Sequence, residues 1–203
     1  MSQITTLEEL EALYGAPQAA SVEKEVAALT PSYAAFIRRA PFVAVATVGP
    51  DGADCTPRGD PQSCVEIVDE RTLLLPDRRG NNRCDTLRNL IHDPRIALMF
   101  MVPGSLSIVR VNGRARILTD AALIARLARA GKAPRSVIEI AIETVYFQCA
   151  RAVMRARLWE PESFADPADL PSPGAFLADA TQGKIDGRDY DARWAARAEE
   201  TMW

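Results

Sequence analysis

LLLPDRRGNNRCDTLRNL, residues 73–90, is the stretch from which the rest of the chain can be placed. Leu73, Leu74 and Leu75 form an apolar strand end that should stop at Pro76. A polar loop follows: Asp77, Arg78, Arg79, Gly80, Asn81, Asn82 and Arg83. A helix should start near Asp85, with Leu87, Leu90 and Ile91 as its apolar stripe at i, i+3, i+4. Strand, glycine-containing basic loop and helix start together suit an anion. Loop and helix amides supply unpaired N–H donors, the helix dipole favours negative charge, and arginine makes forked, charge-assisted bonds to phosphate. The plain alternative is a solvated loop, since neither a Walker pattern nor G-x-G-x-x-G is present.

Composition narrows the setting. At 203 residues the chain makes one domain, or one with a tail, and its 48% hydrophobic and 25% charged residues are ordinary for a globular protein. A net charge of −3 argues against nucleic acid. Charge is unevenly placed: six arginines lie within 71–95, whereas residues 160–203 hold ten acids against four bases. A local cationic site on a mildly acidic body fits an anionic small molecule. Four scattered cysteines and the single His92 show no metal-ligand spacing, so no metal is expected and His92 has no evident catalytic partner. The cysteines read as small core residues in a reducing compartment. With no signal segment and no membrane-length apolar run, the expected location is the cytoplasm, off the membrane.

Working outward, residues 5–15 predict a helix with Leu7, Leu10 and Leu13 on one face and Gly15 at its end. A second helix should follow Ser21 as N-cap, and a third opens at Thr30-Pro31 with Tyr33, Phe36 and Ile37 facing inward. Strands are expected at 42–48, 64–69, 72–75, 95–102, 107–119 and 138–149, with a turn at Gly49-Pro50-Asp51-Gly52 and a helix after Thr119 or Asp120. Six strands joined mostly by short turns point to an antiparallel barrel, mainly β with flanking helices (α+β), rather than a βαβ layer. A helix-like turn follows Ala150, and two more helices are expected at 173–183 and 190–203. The domain boundaries drawn from this are 1–40 for an N-terminal helical extension, 41–160 for the barrel, and 161–203 for a helical tail packing on the barrel or on a second subunit.

At this level of detail the chain resembles the pyridoxamine 5′-phosphate oxidase-like FMN-binding split barrels, and within them a branch of FMN-dependent enzymes of unassigned substrate. The likeness covers roughly 42–160. It rests on TPRGDP (56–61), on residues 73–90 followed by DPRIALMFMVPG (93–104), on VRVNGRARI (109–117) and on YFQCARAVMRARLW (146–159). It implies a six-stranded antiparallel split barrel, FMN at a homodimer interface, and a small-molecule substrate or electron donor. Carried over by position, Arg79, Asn81, Asn82 and Arg83 would hold the phosphate, and Arg58 would add a cation from the preceding strand. Pro76, Asp77 and Arg78 would lie along the ring and ribityl chain. Arg110, Asn112, Arg157 and Trp159 are second-rank contacts, some supplied by the other subunit. Arg58 or Arg157 would stabilise negative charge on a reduced ring.

Plainer roles stand beside each of these. Arg58 could pair with Asp60, Asn81 and Asn82 could supply left-handed turn conformations, Arg83 could pair with an acid in the next turn, and Trp159 could be core or interface. There are also departures from the family pattern. GNNR replaces the oxidase's S-R-K motif, Gln148 stands where histidine is expected, and a lone histidine cannot complete an arginine–histidine substrate clamp. The expected function is therefore electron transfer through FMN to an unknown small substrate, not vitamin B6 oxidation. The alternative is a non-catalytic carrier or redox sensor holding flavin, deazaflavin F420 or heme on the same barrel.

Overall fold

The computed structural model describes residues 3–202. Helix α1 (Leu7–Tyr14) starts in a capping box of Thr6 with Glu9 and ends at Gly15, whose φ of 70° suits glycine. Its apolar stripe faces outward: Leu7 is 72% and Leu13 65% exposed. Helix α2 (Ala19–Glu23) begins after Gln18, so Ser21 lies inside it rather than capping it. It ends early because Val26 pairs with Val145 through two backbone hydrogen bonds of 2.8 and 3.1 Å, which draw the chain into extended form. Helix α3 (Pro31–Ile37) is capped by the Thr30 hydroxyl and buries Ala34 and Ile37.

The strands are β1 (Phe42–Gly49), β2 (Gly52–Gly59), β3 (Glu66–Asp69), β4 (Thr72–Asp77), β5 (Arg95–Met101), β6 (Ile108–Leu118) and β7 (Ser136–Gln148). Helix α4 (Asp85–His92) joins β4 to β5, and α5 (Ala121–Arg126) joins β6 to β7. All pairings are antiparallel, in the order β2-β1-β5-β6-β7-β4-β3. The sheet thus has seven strands, not six, and β2 and β3 end it as edges instead of pairing to close a barrel. The added strand is β2, a stretch that the pattern of alternating residues does not mark and whose glycines and Pro57 are poor strand formers. It is held by backbone pairing to β1 along its length, from Gly49↔Gly52 to Phe42↔Gly59, and the edge position leaves room for proline. The expected stop at Pro76 is also overturned. Strand β4 runs on to Asp77, with Pro76 opposite Val137, and β3 covers only residues 72–74 on the other side, so no ladder donor is required of the proline.

One core forms on the sheet's inner face from Val43, Val45, Leu73, Leu75, Leu98, Phe100, Val111, Ile138, Ile140 and Val145, each under 2% exposed. Gly113 sits at a bulge in the β6–β7 ladder, where a Cβ would meet the Ala141 carbonyl at 2.1 Å. Helix α4 packs on β1, and Asn89 Nδ2 donates to the buried Thr47 hydroxyl at 3.1 Å. Thr86 and Leu90 form its buried line, while Ile91 is 74% exposed and does not belong to the inward stripe.

Beyond β2 the chain turns inward. Asp60 N donates to Pro41 O at 2.9 Å, and the Asp60 side chain is only 4% exposed. Its carboxylate meets Arg78 at 3.1 Å and also Arg129, and Arg78 donates onward to the Leu127 carbonyl at 2.9 Å. This buried cluster clasps the loop after α5 to the β2–β3 corner. Of the four cysteines only Cys64 is buried; Cys55, Cys84 and Cys149 are exposed free thiols, so the core-residue reading fails for three of them. The reason is local: two lie on an edge strand and in a loop, and the third follows the end of β7.

After α6 (Arg151–Arg155) and two short 3₁₀ turns, α7 (Pro173–Ala180) and α8 (Gly187–Thr201) form a hairpin. Gly174 and Gly187 bring the helices together, and Asp191 accepts from Gly174 N at 2.8 Å. Among the described residues no helix is long and apolar enough to cross a membrane.

Two outcomes follow from the corner. Asp60→Ala leaves two guanidinium groups without their buried acid and should cost about 3–5 kcal/mol in urea unfolding; a loss under about 1 kcal/mol would remove the clasp from this account. Burial, reinforced by the Asp60 charge, pushes the Cys64 thiol up to about 11. In a native thiol titration at pH 8, Cys55, Cys84 and Cys149 should react and Cys64 should wait for denaturant. Rapid labelling of Cys64 in the folded protein would contradict its burial.

Candidate functional site

A cleft of about 490 Å³ opens where β2, the end of β4, the 78–84 loop, the start of α4 and the start of β7 converge. Of the residues expected to hold a cofactor, Arg58, Pro76, Asp77, Arg78, Arg79, Asn81, Asn82 and Arg83 all line it. Arg110, Asn112, Arg157 and Trp159 do not. Arg110 lies over the Tyr146 ring at 5.1 Å, Asn112 donates to Thr144 at 3.1 Å, Arg157 pairs with Glu160 at 2.6 Å, and Trp159 Nε1 donates to Ser105 O at 2.8 Å.

The loop owes its form to small side chain–backbone bonds. Asn81 Oδ1 accepts from Arg83 N at 3.1 Å, an Asx turn, and Asn82 adopts φ 62°. Cys84 follows at φ 59° as the N-cap of α4 and gives no side-chain cap. The first amides of α4 therefore have no side-chain acceptor, at the positive end of the helix dipole. Arg135, entering from the β7 side, donates to Asn82 Oδ1 at 3.1 Å and ties the loop to the opposite wall.

Arginines in the cleft differ in how far they are committed. Arg78 is turned into the Asp60 cluster, so its guanidinium serves the wall. Arg58 donates to Thr56 Oγ1 at 3.0 Å and to Thr86 Oγ1 at 3.3 Å, and stands 3.8 Å from Asp77; it does not pair with Asp60. Arg83 pairs with Asp85 at 2.7 Å, both partners being well exposed, and this neighbour raises the arginine's pKa. An exposed pair of this kind is weak and can be exchanged for a stronger anion. Among the described residues Arg79 forms no ion pair. Burial raises the Asp77 carboxyl, against the pull of Arg58 and then Arg135. The lining is thus cationic at the loop, with a half-buried carboxyl deeper in.

Sequence reasoning missed Thr86, Arg129, Arg135 and Ser136. Thr86 was detectable, since it stands one helical turn before Leu90 on the same face. Arg135 and Ser136 carried no local signal; only the β4–β7 register, Asp77↔Ser136, brings them to the cleft. Met202, at the end of α8, also lines it.

Solved structures to which the chain is similar include HupZ from Group A Streptococcus, in a variant form, at 21% identity. It covers 59% of this chain and 98% of that one, with a TM-score of 0.49. General Stress Protein 26 from Bacillus anthracis is similar at 14% identity, 56% and 88% coverage and a TM-score of 0.44. An F420 reductase is similar at 18% identity, 59% and 98% coverage and a TM-score of 0.43. No curated protein sequence matches. The pyridoxamine 5′-phosphate oxidase family profile matches residues 29–149, a span from α3 through the end of β7 that contains every strand and most of the cleft. The chain belongs to the pyridoxamine 5′-phosphate oxidase family.

Proposed function

We propose that this protein binds FMN in the cleft and works as a homodimeric oxidoreductase, passing electrons through the flavin to a small substrate. The observation that carries this reading is the set of anion donors around one mouth: Arg79, Asn81, Asn82, Arg83 and Arg135 line the cleft beside the uncapped start of α4. The residues present fit the group. Their donors suit a phosphate ester, and the volume falls within the usual range for cofactor sites.

Bound flavin supplies the hydride and electron chemistry, so the chain need only bind, orient and polarise. In this reading Arg79 and Arg83 hold the phosphate, with Arg83 giving up its exposed bond to Asp85. Arg58 is held by Thr56 and Thr86, and supplies fixed positive charge to the deeper part of the cleft. Arg78, through Asp60, keeps the wall in place instead of touching the ring. Arg110, Asn112, Arg157 and Trp159 lie away from this cleft and serve the site of a second subunit. The exposed unpaired thiols fit a reducing, cytoplasmic setting.

A second reading is a flavin, F420 or heme carrier or sensor without turnover. It draws support from Gln148 and from a cleft lining that holds no histidine. Purified protein should be yellow, release FMN by mass, and lose its flavin colour when a nicotinamide donor is added without oxygen. Flavin that stays oxidised with every donor tried favours the second reading, and colourless protein that rejects added FMN contradicts both flavin readings. Arg83→Ala should weaken FMN binding about 10- to 100-fold, the worth of one lost charge-assisted hydrogen bond.

A further inference from the structure

Among the described residues, the lining of the cleft lies between Asp54 and Ser136 with a single exception, Met202, which comes from the far end of the chain. Met202 follows the last turn of α8 and keeps helical backbone, φ −64° and ψ −26°, so the helix in effect runs up to the cleft. The hairpin that delivers it has little core of its own. Helix α8 packs on α7, and among the described residues α7 buries only Gly174 and α8 buries none. Phe176 and Trp194 stay exposed. An element held by so little apolar burial opens at low cost.

Charge decides what this helix end does at the cleft. The C-terminal end of a helix carries the negative pole of the dipole and unpaired carbonyls, and nearby cations stabilise it. The last turn of α8 has no basic residue and holds Glu199 and Glu200 instead. Glu199 stands three residues before Met202, on the same side of the helix. The cleft offers what this end lacks. Arg58, Arg79, Arg83 and Arg135 line it, together with the start of α4, a positive helix end without a side-chain cap. We propose that the C-terminal end of α8 is an autoinhibitory contact: it lies against the cleft through Met202 and competes with the anionic ligand for the cleft's positive charge. The ligand displaces the helix end, and its apparent affinity is lowered by the fraction of molecules whose cleft is covered. A lid that closes over bound ligand is the opposite arrangement, and two acids beside a phosphate would repel it. This inference rests on the anion-binding reading of the cleft and adds its regulation.

The test uses full-length protein, with FMN and inorganic phosphate as probes and calorimetry to read affinity. Glu199→Gln combined with Glu200→Gln should bind both probes about three- to tenfold more tightly than the natural protein, and so should Met202→Ala, since each removes part of the competing contact. Glu8→Gln combined with Glu11→Gln makes the same change of net charge on α1, which does not line the cleft, and should leave both affinities unchanged. Saturating FMN, or phosphate if FMN does not bind, should speed amide hydrogen exchange over residues 187–202 as the helix end is driven out. Tail variants that bind no more tightly than the natural protein overturn the inference, and so does an equal gain in the α1 control. Slower exchange with ligand also overturns it, because the helix would then close over the ligand. If natural and variant proteins alike bind neither probe, the anion reading fails and takes this inference with it; if all bind both probes equally well, only the inference fails.

Discussion

A single carboxylate, Asp60, holds the architecture of the site together. It is nearly sealed from water and answered by two guanidinium groups, one from the end of β4 and one from the loop after α5. Such a group is costly to bury alone and tolerable only when its lone pairs are met, so the three segments are obliged to keep company. The result is a corner where an edge strand, the 78–84 loop and the entry to β7 share one cleft. The sheet does not close through strand pairing, and this ionic corner, together with the Asp60 and Cys64 backbone bonds to residues 40–41, bridges the gap.

Much of this could be read from residues alone, and the reasons are physical. Strand β1, with Val43 and Val45 buried and a two-residue turn after Gly49, follows from pattern and turn chemistry. The start of α4 follows from the change in period after the polar loop. Strand β2 was implied only by the family resemblance around Arg58, because its own residues are poor strand formers and pairing with β1 makes it a strand. Ile91 was assigned inward by spacing, yet the buried line passes through Thr86 and Leu90, with Leu87 packed against the core as the spacing expects. The tie between the Arg78 side chain and Asp60 was not legible, since nothing local reveals a buried acid eighteen residues earlier. The basic loop was legible, whereas the opposite wall, Arg135 and Ser136, depends on long-range register and was not.

Seen together, the cleft separates two jobs that the arginine-rich loop had seemed to combine. Arg78 is spent on structure, and Arg79 and Arg83 remain available to an anion. Asparagines shape the backbone between them, and the start of helix α4, which has no side-chain cap, lines the same cleft. Across the cleft from the loop, Asp77 and Ser136 lie side by side in the β4–β7 register. In the proposed reading that division gives charge capture to the loop side of the cleft and leaves Arg78 to its wall.

The central claim is that the loop and the start of α4 anchor a phosphate. Its most direct measurement is a calorimetric comparison of FMN with riboflavin, which carries the same ring and polyol without the phosphate. Two charge-assisted bonds to the phosphate predict that FMN binds at least about 100-fold more tightly, with the advantage shrinking as salt is raised. Equal affinity for the two flavins, unaffected by salt, would contradict the account.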